Sequence, residues 1–222
     1  MGQGEGRTYM IIDPDSRLAA VFFDLDGTLI ESEHVWDDAL RQLASSRSME
    51  ASAPLLARTK GVDVMGAMVL VHEEFGWTED GLRSNADWVS RQVADTFRMG
   101  VSWRPGAPQL LTHLRRAGVP TALVTSTYRD LVEIILDSVG RENFDAVVCG
   151  DEVGSPKPDP EPYLKAARLL DVDIARCVAI EDSHLGAASA RASGCAVLFV
   201  NDDTLPANLL DVDLAALSAL LD

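Results

Sequence analysis

The sequence predicts an α/β fold, a doubly wound, Rossmann-like parallel sheet with an α-helical domain inserted after its first strand. Three observations predict it. From Trp103 onward, short apolar runs alternate with segments of helical period, the pattern of a parallel sheet covered by helices. Residues 33–101 hold no convincing strand, and their apolar side chains recur at helical spacing. The apolar run 18–23 stands ahead of that interval and reads as the first strand of the same sheet.

Taken in order, Leu18-Ala19-Ala20-Val21-Phe22-Phe23 is a buried strand that runs directly into Asp24-Leu25-Asp26-Gly27-Thr28-Leu29. Two acids one residue apart repel in a dry site unless a cation, hydrogen bonds or a proton compensates them. The chain then leaves the sheet for helices at 35–43, 64–75 and 88–97 and returns at Trp103-Arg104-Pro105-Gly106. The remaining strands fall at 120–125, 146–149, 177–180 and 196–200, alternating with helical patterns at 109–117, 131–139, 163–170 and 187–192. Gly118, Gly140 and Gly194 stand where three of these helices should stop. The expected division is an N-terminal extension over 1–17, an α/β core from 18–32 and 102–222, and a helical domain over 33–101.

Composition narrows the function. The 222 residues are 47% hydrophobic, which suits a packed core, and 35 acidic against 19 basic side chains give a net charge of −16. Such a surface disfavours nucleic acid and anionic membranes, so neither is an expected partner, and an anionic substrate must meet locally placed cations. No stretch approaches the ~20 apolar residues of a membrane span. Residues 1–17 lack the basic segment and apolar core of a signal peptide, so the expected compartment is the cytoplasm. Cys149, Cys177 and Cys195 have no metal-type spacing and sit in or beside apolar runs, as buried, reduced filler does.

Ligands of open parallel sheets bind beyond the carboxyl ends of the strands, so the residues after each apolar run belong together. They are Asp24 and Asp26, then Thr125-Ser126-Thr127, then Lys157 in a loop, then Glu181-Asp182-Ser183. This set contains the parts that phosphoryl transfer needs. A carboxylate can attack phosphorus, Mg²⁺ can neutralise charge between nucleophile and phosphate, and hydroxyl and ammonium donors can hold the phosphate oxygens. Mg²⁺ takes few protein carboxylates, which fits Asp24 and Asp182 with a backbone carbonyl at Asp26. The Asp26 carboxyl, held off the metal, is then free to protonate the leaving oxygen and to activate water.

Asp24-Leu25-Asp26-Gly27-Thr28-Leu29, Val124-Thr125-Ser126, Lys157-Pro158-Asp159-Pro160 and Glu181-Asp182-Ser183-His184-Leu185-Gly186 resemble, in order, the four signature motifs of the haloacid dehalogenase-like hydrolase superfamily. The helical insertion resembles the small cap domain of its phosphoglycolate phosphatase and β-phosphoglucomutase branch. The resemblance implies Asp24 as nucleophile and metal ligand, Asp26 as general acid and base, and Thr125, with Ser126 beside it, as phosphate donors. It also implies Lys157 as the cation between nucleophile and phosphate, and Asp182, with Glu181 through water, as the remaining Mg²⁺ ligands. The acid at Asp26 separates the chain from true dehalogenases. The implied activity is a Mg²⁺-dependent phosphatase acting on a small phosphorylated metabolite, a sugar phosphate or phosphoglycolate, through an aspartyl-phosphate. The expected oligomeric state is a monomer or weak homodimer.

Several readings stay open at this level. A phosphomutase would use the same nucleophile, although Trp36 stands where the mutases carry a His, and a silent binding protein would not need all four charged groups. Asp13-x-Asp15, Asp171-x-Asp173 and Asp211-x-Asp213 show that a D-x-D alone is weak evidence. Thr125 and Ser126 could cap a helix as well as bind phosphate. In the cap, Arg58-Thr59-Lys60-Gly61 could contact the leaving group or end a basic helix in solvent. His34 could line the cleft, and His184 could face substrate or simply occupy a loop. His72 and His113 read as packing or surface residues, and the four Trp residues as core more than as sugar platforms.

Overall fold

A computed structural model of the chain describes residues 18–200 and Leu205. The expected extension over 1–17, the Asp13 and Asp211 pairs, and most of the chain beyond 200 lie outside these residues.

Five parallel strands form one sheet: β1 (Ala20–Phe23), β2 (Thr121–Val124), β3 (Ala146–Val148), β4 (Cys177–Glu181) and β5 (Ala196–Phe199), in the spatial order β3-β2-β1-β4-β5. The chain builds outward from β1 in one direction, then returns to build outward in the other. The strand order therefore reverses at β1, and the crevice for a ligand opens beyond its carboxyl end. Phe23 pairs with Leu123 on one side and Ile180 on the other, so Asp24 follows level with Val124 and Glu181.

Alternation along the strands serves two helical layers. Val21, Phe23, Leu123 and Ile180 face the helices α5 (Ala107–Ala117) and α6 (Arg129–Val139), while Phe22, Ala122, Val124 and Ala179 face α7 (Glu161–Leu170) and α8 (His184–Ala192). A strand covered on both sides reads as a continuous apolar run, which is why each was visible in the sequence. Gly118 and Gly140 are the C-caps of α5 and α6, and Gly194 follows the end of α8. All three have positive φ, the conformation in which a helix end favours glycine.

The insertion is helical, as expected: α1 (Glu33–Ser45), α2 (Ala53–Thr59), α3 (Val64–Phe75) and α4 (Leu82–Arg98). The short α2 has no counterpart among the sequence-predicted helices, because seven residues cannot display a period of 3.6. Its start is nonetheless written locally. Ser52 accepts the Leu55 N–H and Pro54 occupies the first turn. The segments entering and leaving the insertion pair with each other: Glu31 N–H donates to Ser102 O at 2.8 Å and Arg104 N–H to Leu29 O at 2.8 Å. The cap shares one apolar cluster with the core, in which Leu40, Met68, Val89 and Phe97 continue from Phe23, Leu110 and Ile135.

Candidate active site

Four loops at the carboxyl end of the sheet bring the expected residues together. Lys157 is the centre of the arrangement. Its ammonium group, with a side chain only 2% exposed, donates to Asp24 Oδ1 at 2.8 Å, to Val124 O at 2.9 Å and to Glu181 Oε1 at 2.5 Å. Burial alone would lower the lysine pKa, but the two carboxylates outweigh it and hold the group charged. Glu181 Oε1 also accepts from Tyr163 Oη, and Oε2 accepts from Ser183 Oγ at 3.2 Å.

Asp24, Glu181 and Asp182 each present an oxygen within 4.8 Å of the others. Three carboxylates share one ammonium, and the excess negative charge shows in the titration of Asp24 and Asp182. Burial first, then the neighbouring carboxylates against the pull of Lys157, push Asp24 well above the ordinary carboxylate range. Asp182 is pushed up to about 7 by burial and by Glu181, Glu33 and Asp26. Such a cluster fits a divalent cation, which would do the work that protons do without it. Asp24 and Asp182 face the cleft and could hold it. Glu181, expected to reach a metal through water, is fully buried and does not line that cleft, its oxygens being held by Lys157, Tyr163 and Ser183.

The Asp182 shift has a measurable consequence. Its carboxyl binds a proton more tightly folded than unfolded, so between the ordinary value of 3.8 and about 7 the native state carries more protons than the unfolded chain. Stability therefore falls as pH rises through that window. The melting temperature of EDTA-treated protein, followed by circular dichroism, should drop across it.

Asp26 is oriented from both sides of the cleft. Thr127 Oγ1 donates to its Oδ2 at 2.6 Å from the core, and Trp36 Nε1 donates to its Oδ1 at 2.8 Å from α1 of the cap. Neither partner was predicted for this task. Thr127 was visible only as the third residue of a hydroxyl cluster, and Trp36 as an aromatic at helical spacing and as the residue in the place of the mutases' His. Tyr163, six residues beyond Lys157 in the first turn of α7, carried no sequence signal either. Its role depends on Glu181 at the end of β4, the strand that follows α7.

Gly27 is required twice over, since its φ is +78° and a methyl group there would overlap the Asp182 carboxylate. Gly61, with φ +76°, presses the cap loop onto the core, where a Cβ would lie 2.8 Å from Ser183 Cβ. Ser126, expected to hold phosphate, lines the same cleft as Thr125 and donates its hydroxyl to the Gly61 carbonyl at 3.0 Å, which joins core to cap. The buried Thr125 hydroxyl accepts the Thr127 N–H at 3.0 Å, which leaves its own proton to donate. Tyr128 donates to Asp63 Oδ2 of the cap at 3.4 Å, its phenol pushed up to about 12 by burial and by that carboxylate.

Beneath these contacts lies a cavity of about 240 Å³ reached by Asp24, Asp26, Thr125 and Asp182. Of the cap residues expected to meet substrate, Lys60 lines it, paired with Glu33 at 2.7 Å. Arg58 and His34 do not. They line a more open neighbouring cavity, because α2 turns Arg58 outward to Glu74 of α3 at 3.3 Å. His184 lines that same second cavity and stacks on Phe199. His72 is buried in the cap between Thr78 O and Asn85 Nδ2. All three cysteines are buried free thiols, with Cys149 and Cys177 pushed up to about 12 by burial, so none is poised as a nucleophile. Among the described residues no helix is long and apolar enough to cross a membrane.

Residues 18–194 match the family described as haloacid dehalogenase-like hydrolase. Hexitol phosphatase A of Escherichia coli (strain K12) is 32% identical over 202 residues, covering 89% of this chain and 90% of that protein. The plasmid phosphoglycolate phosphatase of Cupriavidus necator is 35% identical over 185 residues, covering 82% and 80%. Among solved structures, CbbY from Rhodobacter sphaeroides in complex with phosphate superposes with a TM-score of 0.71 at 25% identity, over 83% of this chain and 86% of that one.

Proposed function

The chain belongs to the haloacid dehalogenase-like hydrolases, as a phosphatase, and on that premise we propose that it hydrolyses a small phosphorylated metabolite, a sugar phosphate or phosphoglycolate, through an aspartyl-phosphate at Asp24 with Mg²⁺ as cofactor. The observation that carries this reading is the buried Lys157 joined to Asp24, with Asp26 oriented two residues away in the same cleft.

In the first half-reaction an Asp24 oxygen forms a bond to phosphorus as the ester P–O bond breaks, and Asp26 delivers a proton to the departing oxygen. In the second, water attacks phosphorus, gives its proton to Asp26, and releases the Asp24 carboxylate with inorganic phosphate. Lys157 keeps Asp24 aligned and offsets the charge that accumulates between carboxylate and phosphate. Thr125 presents its hydroxyl proton to a phosphate oxygen. Bound between Asp24 and Asp182, Mg²⁺ would lower the repulsion between the nucleophile and the anionic phosphoryl group.

The same bonds keep the chemistry in the cleft. Trp36 and the Ser126 to Gly61 contact bring the cap down over Asp26, which excludes bulk water from an acyl phosphate that would otherwise hydrolyse unselectively. Phosphate release from p-nitrophenyl phosphate tests the reading. Hydrolysis is expected with Mg²⁺, to be lost in EDTA and to return when Mg²⁺ is restored. Turnover that ignores chelation would remove Mg²⁺ from the proposal.

A further inference from the structure

The wall of the catalytic cavity is acidic beyond the reacting groups. Past Asp24, Asp26 and Asp182, it carries Asp37 of α1, Asp87 of α4 and Asp130 of α6, with Ser90 beside Asp87. Lys60 is the one cation among the residues lining it, and Glu33, also on the wall, already pairs with it at 2.7 Å. Of the other cations near the site, Arg83, which acts on the Tyr128 phenol, is exposed and does not line the cavity, and two are committed elsewhere. Lys157 is enclosed by Asp24 and Glu181, and Arg58 lines the second cavity against Glu74. Asp87 and Asp130 make no ion pair among the described residues, and Asp37 has only a 3.4 Å contact with Arg41.

Carboxylates accept hydrogen bonds and donate none, so Asp37, Asp87 and Asp130 suit hydroxyl or ammonium groups and oppose a second phosphate or a carboxylate, for which this wall holds only Lys60, already paired with Glu33, and neutral hydroxyls such as Ser90 and Tyr128. Asp87 and Asp130 are exposed and Asp37 is half-buried, so these carboxylates keep part of their water, and it is their number on one wall that opposes a second anion. Between the acids, the Trp36 ring, Leu40, Val62 and Val64 supply apolar surface for the C–H faces of a carbon chain. We infer that the cavity selects phosphomonoesters whose remote end carries hydroxyl or ammonium donors, with Asp37, Asp87 and Asp130 as the selecting residues, and rejects those bearing a second anion.

This rests on the phosphatase reading and narrows it, setting polyol and sugar monophosphates against phosphoglycolate and bisphosphates. The experiment measures kcat/KM for sorbitol 6-phosphate, glucosamine 6-phosphate, phosphoglycolate and fructose 1,6-bisphosphate, with p-nitrophenyl phosphate assayed in parallel. The first two are expected to exceed the last two by roughly tenfold or more, since like-charge juxtaposition in a binding site is strongly unfavourable. In the double variant Asp87→Asn/Asp130→Asn that preference should shrink several-fold, through a lower KM for the two anionic substrates. Equal turnover of all four, or a preference unmoved in the double variant, overturns the inference while p-nitrophenyl phosphate hydrolysis keeps the phosphatase reading standing. Absence of hydrolysis for every compound, p-nitrophenyl phosphate included, overturns the reading and this inference with it.

Discussion

Asp24→Asn is expected to lose phosphate release by a factor on the order of 10⁴ or more while folding normally. The amide is a poor nucleophile, yet it fills the same volume, and its oxygen can still accept the Lys157 hydrogen bond that Asp24 Oδ1 accepts at 2.8 Å. The ammonium group retains Glu181 and the Val124 carbonyl. Stability should not fall, and the sign follows from the carboxyl group's raised pKa. A group that holds its proton more tightly in the folded state stabilises the fold at low pH, and that contribution disappears as pH rises toward the folded value. Wherever Asp24 is ionised in EDTA, its buried charge is therefore a liability that asparagine removes. Steady-state kinetics beside thermal melts would decide it. Retained turnover excludes Asp24 as nucleophile, and a large drop in melting temperature would mean that its charge is needed to hold Lys157 in place.

Lys157→Met should damage both properties. The methionine can fill the space, but it leaves Asp24 and the fully buried Glu181 facing each other without their cation. Breaking a buried ion pair by removing one partner typically costs about 3–5 kcal/mol, a large part of the stability of a domain. Tyr163 would still donate to Glu181, which softens the loss but leaves Asp24 uncompensated. Protonation of Asp24 then becomes the cheapest relief, so the stability deficit should be smaller at pH 5 than at pH 8. Activity should fall with it, because a protonated Asp24 cannot attack. Denaturant unfolding at the two pH values measures the deficit. An equal deficit at both, or none, would show that Lys157 is not compensating a buried carboxylate.

The contrast between these variants reflects which parts of the site were legible in the sequence. Asp24, Asp26, Thr125, Lys157 and Asp182 all stand directly after apolar runs or in the loop following one, and a parallel sheet necessarily gathers those positions at one edge. Their partners were not legible. Thr127, Trp36 and Tyr163 act through single hydrogen bonds to residues 101, 10 and 18 positions away, and no local pattern marks a donor for a distant acceptor. Arg58 was the natural candidate for substrate contact because two cations ahead of a glycine suggest a binding loop. The packing of α2 against α3 places it beside Glu74, on the second cavity.

By itself, then, the sequence determined the alternation of strands and helices, the helical insertion after β1, and which carboxylates, hydroxyls and lysine stand at the strand ends. Those are properties of local period and of side-chain type, both carried by residues near one another in the chain. Only the tertiary structure decided the strand order that turns β1 into the centre of the crevice, the burial that raises Asp24 and Asp182, and the descent of Trp36 and Gly61 onto the core. It also decided the charge of the cavity wall, because Asp37, Asp87 and Asp130 come from three helices that meet only when the cap is packed. Electrostatic character depends on distance and on exclusion of water, and neither exists until the chain has folded.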